Sequence, residues 1–288
     1  MSSVKSLAAS SESAPELENT TPANPMSWNS SYLTAIGATL TFGLRFNNDP
    51  PPPVELLDAA QATITFRSAT FRSYATVFAN RYPSAVFRNI RWTVRRLVKT
   101  EAWPWQCDER EVYCTKFIEQ VLKYLCPQYD RPGYDLELQY HDRLSVWKAR
   151  GRIGREAWLV VARRRKQDFA EEIGYAISIA QEYNHLYASD DITLWMVTLR
   201  GSWAAVMKIT ILTGMLRSSE ELRSLKAGDL ISSPGFVRAE VTGEYKLTDD
   251  DQRVEFVTVL HGLSLVINTM EAQAWTLTAP MSWQPAFF

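Results

Sequence analysis

Residues 158–173 read WLVVARRRKQDFAEEI: a short apolar, β-branched run, four consecutive cations, then a pattern of helical period. The apolar run predicts a buried strand, and the segment from Phe169 onward predicts a helix, with Phe169, Ile173, Ala176, Ile177, Ala180, Asn184 and Tyr187 along one stripe. Asp168, just ahead of that stripe, is a side chain of the kind that caps helix N-termini.

Upstream, YDLELQYHDRLSVWK (residues 134–148) alternates in character and predicts one strand or two. The glycine-containing RGRIGRE that follows predicts a turn. EREVYCTKFIEQVLKYL places Val112, Phe117, Val121, Tyr124 and Leu125 on one helical face, and Pro127 ends that helix because it cannot extend the hydrogen-bond ladder. Downstream, residues 192–198 and WAAVMKITIL predict two strands joined at LRGS, and FVRAEVTGEYK with QRVEFVTVL predicts a hairpin around the acidic turn 249–251. Helix, strands, helix, strands favours an α/β domain.

The remaining segments frame this core. Residues 1–27 are rich in Ser, Ala, Thr, Pro and Glu and predict a disordered tail. Residues 28–108 form a helical N-terminal segment that contains the stiff linker DPPPP (49–53), a helix starting at Val54, and the near-repeat TFRSATFRS. Residues 109–212 are the α/β core, and 213–288 a C-terminal segment of helix plus β-hairpin.

A net charge of −1 over 288 residues makes the whole chain a poor candidate for indiscriminate nucleic-acid binding, but charge is unevenly spread. Arg67, Arg72, Arg81, Arg88, Arg91, Arg95, Arg96 and Lys99 occur with no acid between them, and residues 143–166 hold nine cations against Glu156. The plain reading of the Trp residues is core, Trp92 included; of them Trp92, between Arg91 and Arg95, is the best candidate to stack on a base. Cys107, Cys114 and Cys126 form no C-x-x-C pair, so buried free thiols are expected in preference to a zinc site with His141. With no apolar leader and no stretch long enough to span a bilayer, the expectation is an intracellular protein, cytoplasmic or nuclear, with no membrane partner.

A helix carrying Glu119, a strand carrying an aspartate, a turn, a buried strand with a charged end and a second helix follow the order of parts in the restriction-endonuclease-like fold. The stretch 109–211 resembles the PD-(D/E)XK nuclease-like domains of many fungal proteins, whose following helix commonly carries Gln before an aromatic, as IAQEYNHLY does. The resemblance implies a mixed sheet flanked by helices and a Mg²⁺ site of carboxylates on adjoining strands, which would orient water and neutralise phosphate charge. Carried over, Asp142 (or Asp135) is the first acid, Ala162 stands where the second is expected, and Arg164 stands where the lysine is expected. Alanine offers no ligand, and arginine keeps its proton while still gripping phosphate through its fork of donors.

The expected function is therefore non-catalytic, without a cofactor. It is a basic face for DNA or RNA built from Arg150, Arg152, Arg155, Arg163, Arg165 and Lys166, with Arg164. An alternative is a Mg²⁺-dependent nuclease whose missing acid has migrated to Glu172 or Glu119, with Asp142 as the metal ligand. Another is a protein-interaction module without nucleic-acid contact, the four cations then being a solvated strand end. Separately, TGMLRSSEELRSLKAGDL (213–230) resembles the arginine box of tyrosine recombinases, with Arg217 as its arginine and Lys246 in the expected hairpin. His261 is followed by Ser264 where arginine is required, and no tyrosine follows Tyr245, so the covalent nucleophile is missing.

Overall fold

The computed structural model describes residues 30–35, 37–61, 85–101, 107–126, 136–141, 144–149, 157–163, 169–184, 191–212 and 237–278. In chain order the elements are α1 (Ser30–Ala35), β1 (Thr39–Phe42), α2 (Val54–Ala60), α3 (Ala85–Glu101), α4 (Cys107–Leu125), β2 (Leu136–His141), β3 (Leu144–Ala149), β4 (Ala157–Arg163), α5 (Ala170–Asn184), β5 (Ile192–Arg200), β6 (Trp203–Ile211), β7 (Val237–Val241), β8 (Tyr245–Lys246) and α6 (Asp250–Thr278). The strands form one mixed sheet in the order β1-β7-β6-β5-β4-β3-β2, with β8 paired to β6. β4 and β5 are parallel, as are β1 and β7, and the other pairs are antiparallel.

Both faces of the sheet are covered by helices, which explains why β5 and β6 read as nearly continuous apolar runs rather than as alternating strands. One face packs Ile192, Leu194 and Met196 of β5 with Ala205, Met207, Ile209 and Ile211 of β6 against Ile173, Ala176, Ile177 and Ala180 of α5. The opposite face packs Trp195, Val197, Leu199, Ala204 and Val206 against α2, α3, α4 and α6. Alternation along a strand fixes this division: a residue changes layer with each step. β5 and β6 meet at a two-residue loop in which Gly201 takes the left-handed conformation, φ 62°, and its N–H donates to Glu111 Oε1 at 3.2 Å.

Three features depart from the sequence reading. QRVEFVTVL is part of helix α6, not the second arm of a hairpin. Its valines suggest a strand, but Asp249 Oδ1 accepts the Gln252 N–H at 3.0 Å while Gln252 Oε1 accepts the Lys246 N–H at 2.9 Å, closing the N-terminus. The buried set Arg253, Phe256, Val257, Leu260, Leu263 and Ile267 then repeats at helical spacing. Val112, placed on the apolar face of α4, is 41% exposed; Cys114, Ile118 and Leu122 are the buried residues that complete that face. The N-terminal segment also supplies strand β1, unexpected because a four-residue edge strand with mostly exposed side chains carries no burial pattern. No helix among the described residues is long and apolar enough to cross a membrane.

Two buried arginines tie the seven-residue α2 to the rest of its layer. Arg253 of α6 donates from Nε to Ala60 O and from Nη1 to Leu247 O, each at 2.6 Å, and its Nη2 pairs with Asp250. Arg91 of α3 donates from Nη1 to Asp58 O at 3.0 Å. Cations at a helix C-terminus meet the negative end of its dipole and satisfy carbonyls that have no intrahelical partner. Burial pulls the Arg253 pKa below its ordinary value and Asp250 opposes that pull.

Candidate functional site

The four mutually parallel strands β1, β7, β5 and β4 end at one edge of the sheet, and β3 starts there. The register at this edge is definite. Val146 of β3 pairs with Ala162 of β4, and Ala162 pairs with Thr198 of β5; Arg163, the last residue of β4, pairs with Leu199. Asp142 precedes β3 by two residues and Arg164 follows β4 by one, so the chain positions of the expected acid and cation flank neighbouring strand ends.

The chain enters α5 beside this edge. Phe169 is the one non-glycine residue with positive φ, 58°, among those described, and its carbonyl accepts the Ile173 N–H at 3.2 Å, so it occupies the cap position expected for Asp168. A left-handed phenylalanine costs on the order of 1–3 kcal/mol. The ring is 2% exposed and meets Phe42, at the end of β1, edge-on at 6.1 Å between centroids, and this packing holds the turn. Helix α5 thereby runs back over β5 and β6 with Glu171 and Glu172 in its first turn, 7% and 2% exposed. Carboxylates in the first turn are favoured by the positive end of the helix dipole, which helps two acids tolerate burial.

Thr198 belongs to the same face of the sheet by alternation with Leu194 and Met196. Its side chain is fully buried, and its hydroxyl has no hydrogen-bond partner among the described residues. It was not singled out from the sequence, where a threonine inside ITLWMVTLR reads as an ordinary β-branched strand residue. At this end of the sheet, then, a buried hydroxyl on β5 stands in register with alanine at the position where the resemblance calls for a metal-binding acid.

The other expected site residues divide as follows. Glu172 is on the α5 face. Glu119 is on α4, in the opposite layer, and pairs with Lys123 at 3.1 Å along its own helix, so the two acids proposed as migrated ligands lie on opposite faces of the sheet and cannot share one metal there. Asp135, Asp142, Arg150, Arg152, Arg155, Arg164, Arg165, Lys166 and Arg217 lie outside the described residues. Lys246 sits in β8 and forms an ion pair with Glu101 of α3. That hydrogen bond holds the Glu101 carboxyl below its usual pKa against the opposing effect of burial. His261 lies within α6, 6% exposed, with Nδ1 unpartnered among the described residues, and burial keeps its pKa low. Among the described residues no three His, Cys, Asp or Glu side chains group to hold a metal ion. Cys114 and Cys126 are buried and in no disulfide, and desolvation pushes the Cys114 pKa far up, leaving it unreactive.

No protein-family model, curated protein or solved structure matches this chain.

Proposed function

We propose that this chain is a nuclease-like α/β protein with a lost metal site, whose sheet edge binds nucleic-acid phosphates without hydrolysing them. One observation carries the reading: the start of β3 lies beside the end of β4, and the position on β4 that corresponds to the second acid is Ala162, in register with Thr198. The run α4–β2–β3–β4–α5–β5 agrees with the order of parts in a restriction-endonuclease-like domain, which supports that finer reading of the mixed sheet.

Hydrolysis in such a site needs a hard cation held by oxygen ligands beside the phosphate. An alanine methyl offers no ligand, and a neutral threonine hydroxyl offers an oxygen without the negative charge by which a carboxylate holds the cation. Arginines at the strand end keep their charge at any physiological pH and match the geometry of phosphate oxygens, so attraction survives where catalysis does not.

The burial of Glu172 on the same face as Thr198 favours a second reading, a Mg²⁺-dependent nuclease whose acid has moved to the first turn of α5. Binding and cleavage assays on one labelled polynucleotide separate these. Sequence-independent binding that weakens steeply with salt, and less steeply in an Arg164→Ala/Arg165→Ala variant, supports the first reading. No binding by either chain contradicts it and leaves a protein-interaction module.

A further inference from the structure

We propose that the ridge formed by the exposed Arg88, Trp92, Arg96 and Lys99 of α3 and Lys116 of α4, with the half-buried Tyr113 beside Trp92, is a separate contact surface for single-stranded nucleic acid. A base would stack on the Trp92 indole while the flanking cations pair with phosphates. The ridge belongs to the helical layer opposite α5, so it does not depend on the sheet-edge proposal, and its occupant follows from its own side chains.

Helix α3 is amphipathic. Its buried face, Phe87, Ile90, Thr93, Val94 and Leu97, is used up in the core. Arg88, Trp92, Arg96 and Lys99 are spaced by four, four and three residues, which keeps them on one outward face about 16 Å long. All four are exposed, and no ion pair engages Arg88, Arg96 or Lys99 among the described residues. No acid occurs from residue 67 to 100; the exposed carboxylates that bound the ridge along the two helices are Glu101, which is paired with Lys246, and Glu109, a turn ahead of Tyr113 on α4.

An indole 50% exposed on the surface is uneconomical as core and suited to stacking. Its orientation is already fixed: Tyr113 meets it edge-on at 6.1 Å, Arg96 lies 5.1 Å from the ring centroid, and Lys116 lies 5.9 Å from the Tyr113 ring. Less rotamer freedom remains to be lost when a ligand arrives. Cations alternating with stacked aromatic rings are the arrangement by which proteins hold unpaired bases regardless of sequence, and a duplex, whose bases are already stacked, cannot use the indole.

The test uses the full chain, a fluorescently labelled oligo-dT, and a duplex of equal length, compared by anisotropy at low salt. Trp92→Ala should weaken oligo-dT binding at least about fivefold and leave duplex binding within error, while Trp92→Phe retains most of the affinity. Arg96→Ala and Lys99→Ala should each lower the magnitude of the log–log salt slope by about 0.7. The Arg164→Ala/Arg165→Ala variant should weaken oligo-dT and duplex alike, which keeps failure of the sheet edge distinct from failure of the ridge. Wild-type oligo-dT affinity in a Trp92→Ala chain with a native circular-dichroism melt would overturn the proposal. So would capture of the wild-type chain by anionic vesicles with no oligo-dT binding, since the ridge would then be a lipid contact.

Discussion

Ala162 and Thr198 stand side by side in parallel register at the edge where β4 and β5 end, and the Thr198 hydroxyl is fully buried without a hydrogen-bond partner among the described residues. A buried polar group in that state costs free energy that an apolar group of the same shape does not. Thr198→Val should therefore raise stability by about 1 kcal/mol, read as a higher urea midpoint at unchanged slope. A loss of stability would mean that the hydroxyl is satisfied, and a loss of nucleic-acid affinity with stability retained would make it part of the binding site.

The Arg253 guanidinium should be the costliest single side chain to remove. Arg253→Met leaves the carbonyls of Ala60 and Leu247 unpaired in the core, with an expected loss of about 3–5 kcal/mol by chemical denaturation. A change below 1 kcal/mol would show that α2 is held by its apolar contacts alone.

At Gly262, in α6, an added Cβ meets Phe46 Cβ too closely and comes 2.7 Å from Asn48 Oδ1. Helix propensity alone would make Gly262→Ala stabilising by about 1 kcal/mol, but overpacking of about 1–3 kcal/mol opposes it. Net destabilisation in a thermal melt is expected.

Two groups give stability a dependence on pH. The ion pair and hydrogen bond with Lys246 depress the Glu101 pKa, so the unfolded chain takes up the proton first as pH falls. The pair's contribution is complete above the ordinary carboxylate range and is lost on acidification through the lower folded value. Both side chains are more than a third exposed, which limits Glu101→Gln to about 0.2–1 kcal/mol. Burial likewise depresses His261, so stability should already decline as pH drops below the ordinary histidine value, a component that His261→Gln removes. Urea midpoints across pH for the two variants separate the components.

Much of the sheet was legible in the sequence because its strands are short, β-branched and bounded by turn residues, and because LRGS carries the glycine that a two-residue hairpin loop needs. The helical α6 was not, since Val254, Val257 and Val259 outweighed a capping pair formed by residues 249 and 252 whose hydrogen bonds exist only once folded. Of the site, the end of β4 at Arg163 and the start of α5, with Glu172 in its first turn, were legible from local order. The neighbour Thr198 was not, because its significance comes from register between strands separated by a helix, which no local pattern encodes. Phe169 as the cap residue was hidden for a similar reason: Phe42, which packs against it, lies far away in sequence.

The central claim is that this sheet edge has lost its metal chemistry, and the most direct test is cleavage of an end-labelled polynucleotide by the full chain in Mg²⁺ or Mn²⁺, with Glu172→Ala and metal-free incubations alongside. The account predicts bound but uncut polynucleotide, identical for wild type and variant and unaffected by the metal. Metal-dependent cleavage by the wild type that disappears in Glu172→Ala would contradict it and establish a nuclease with its acid moved onto α5.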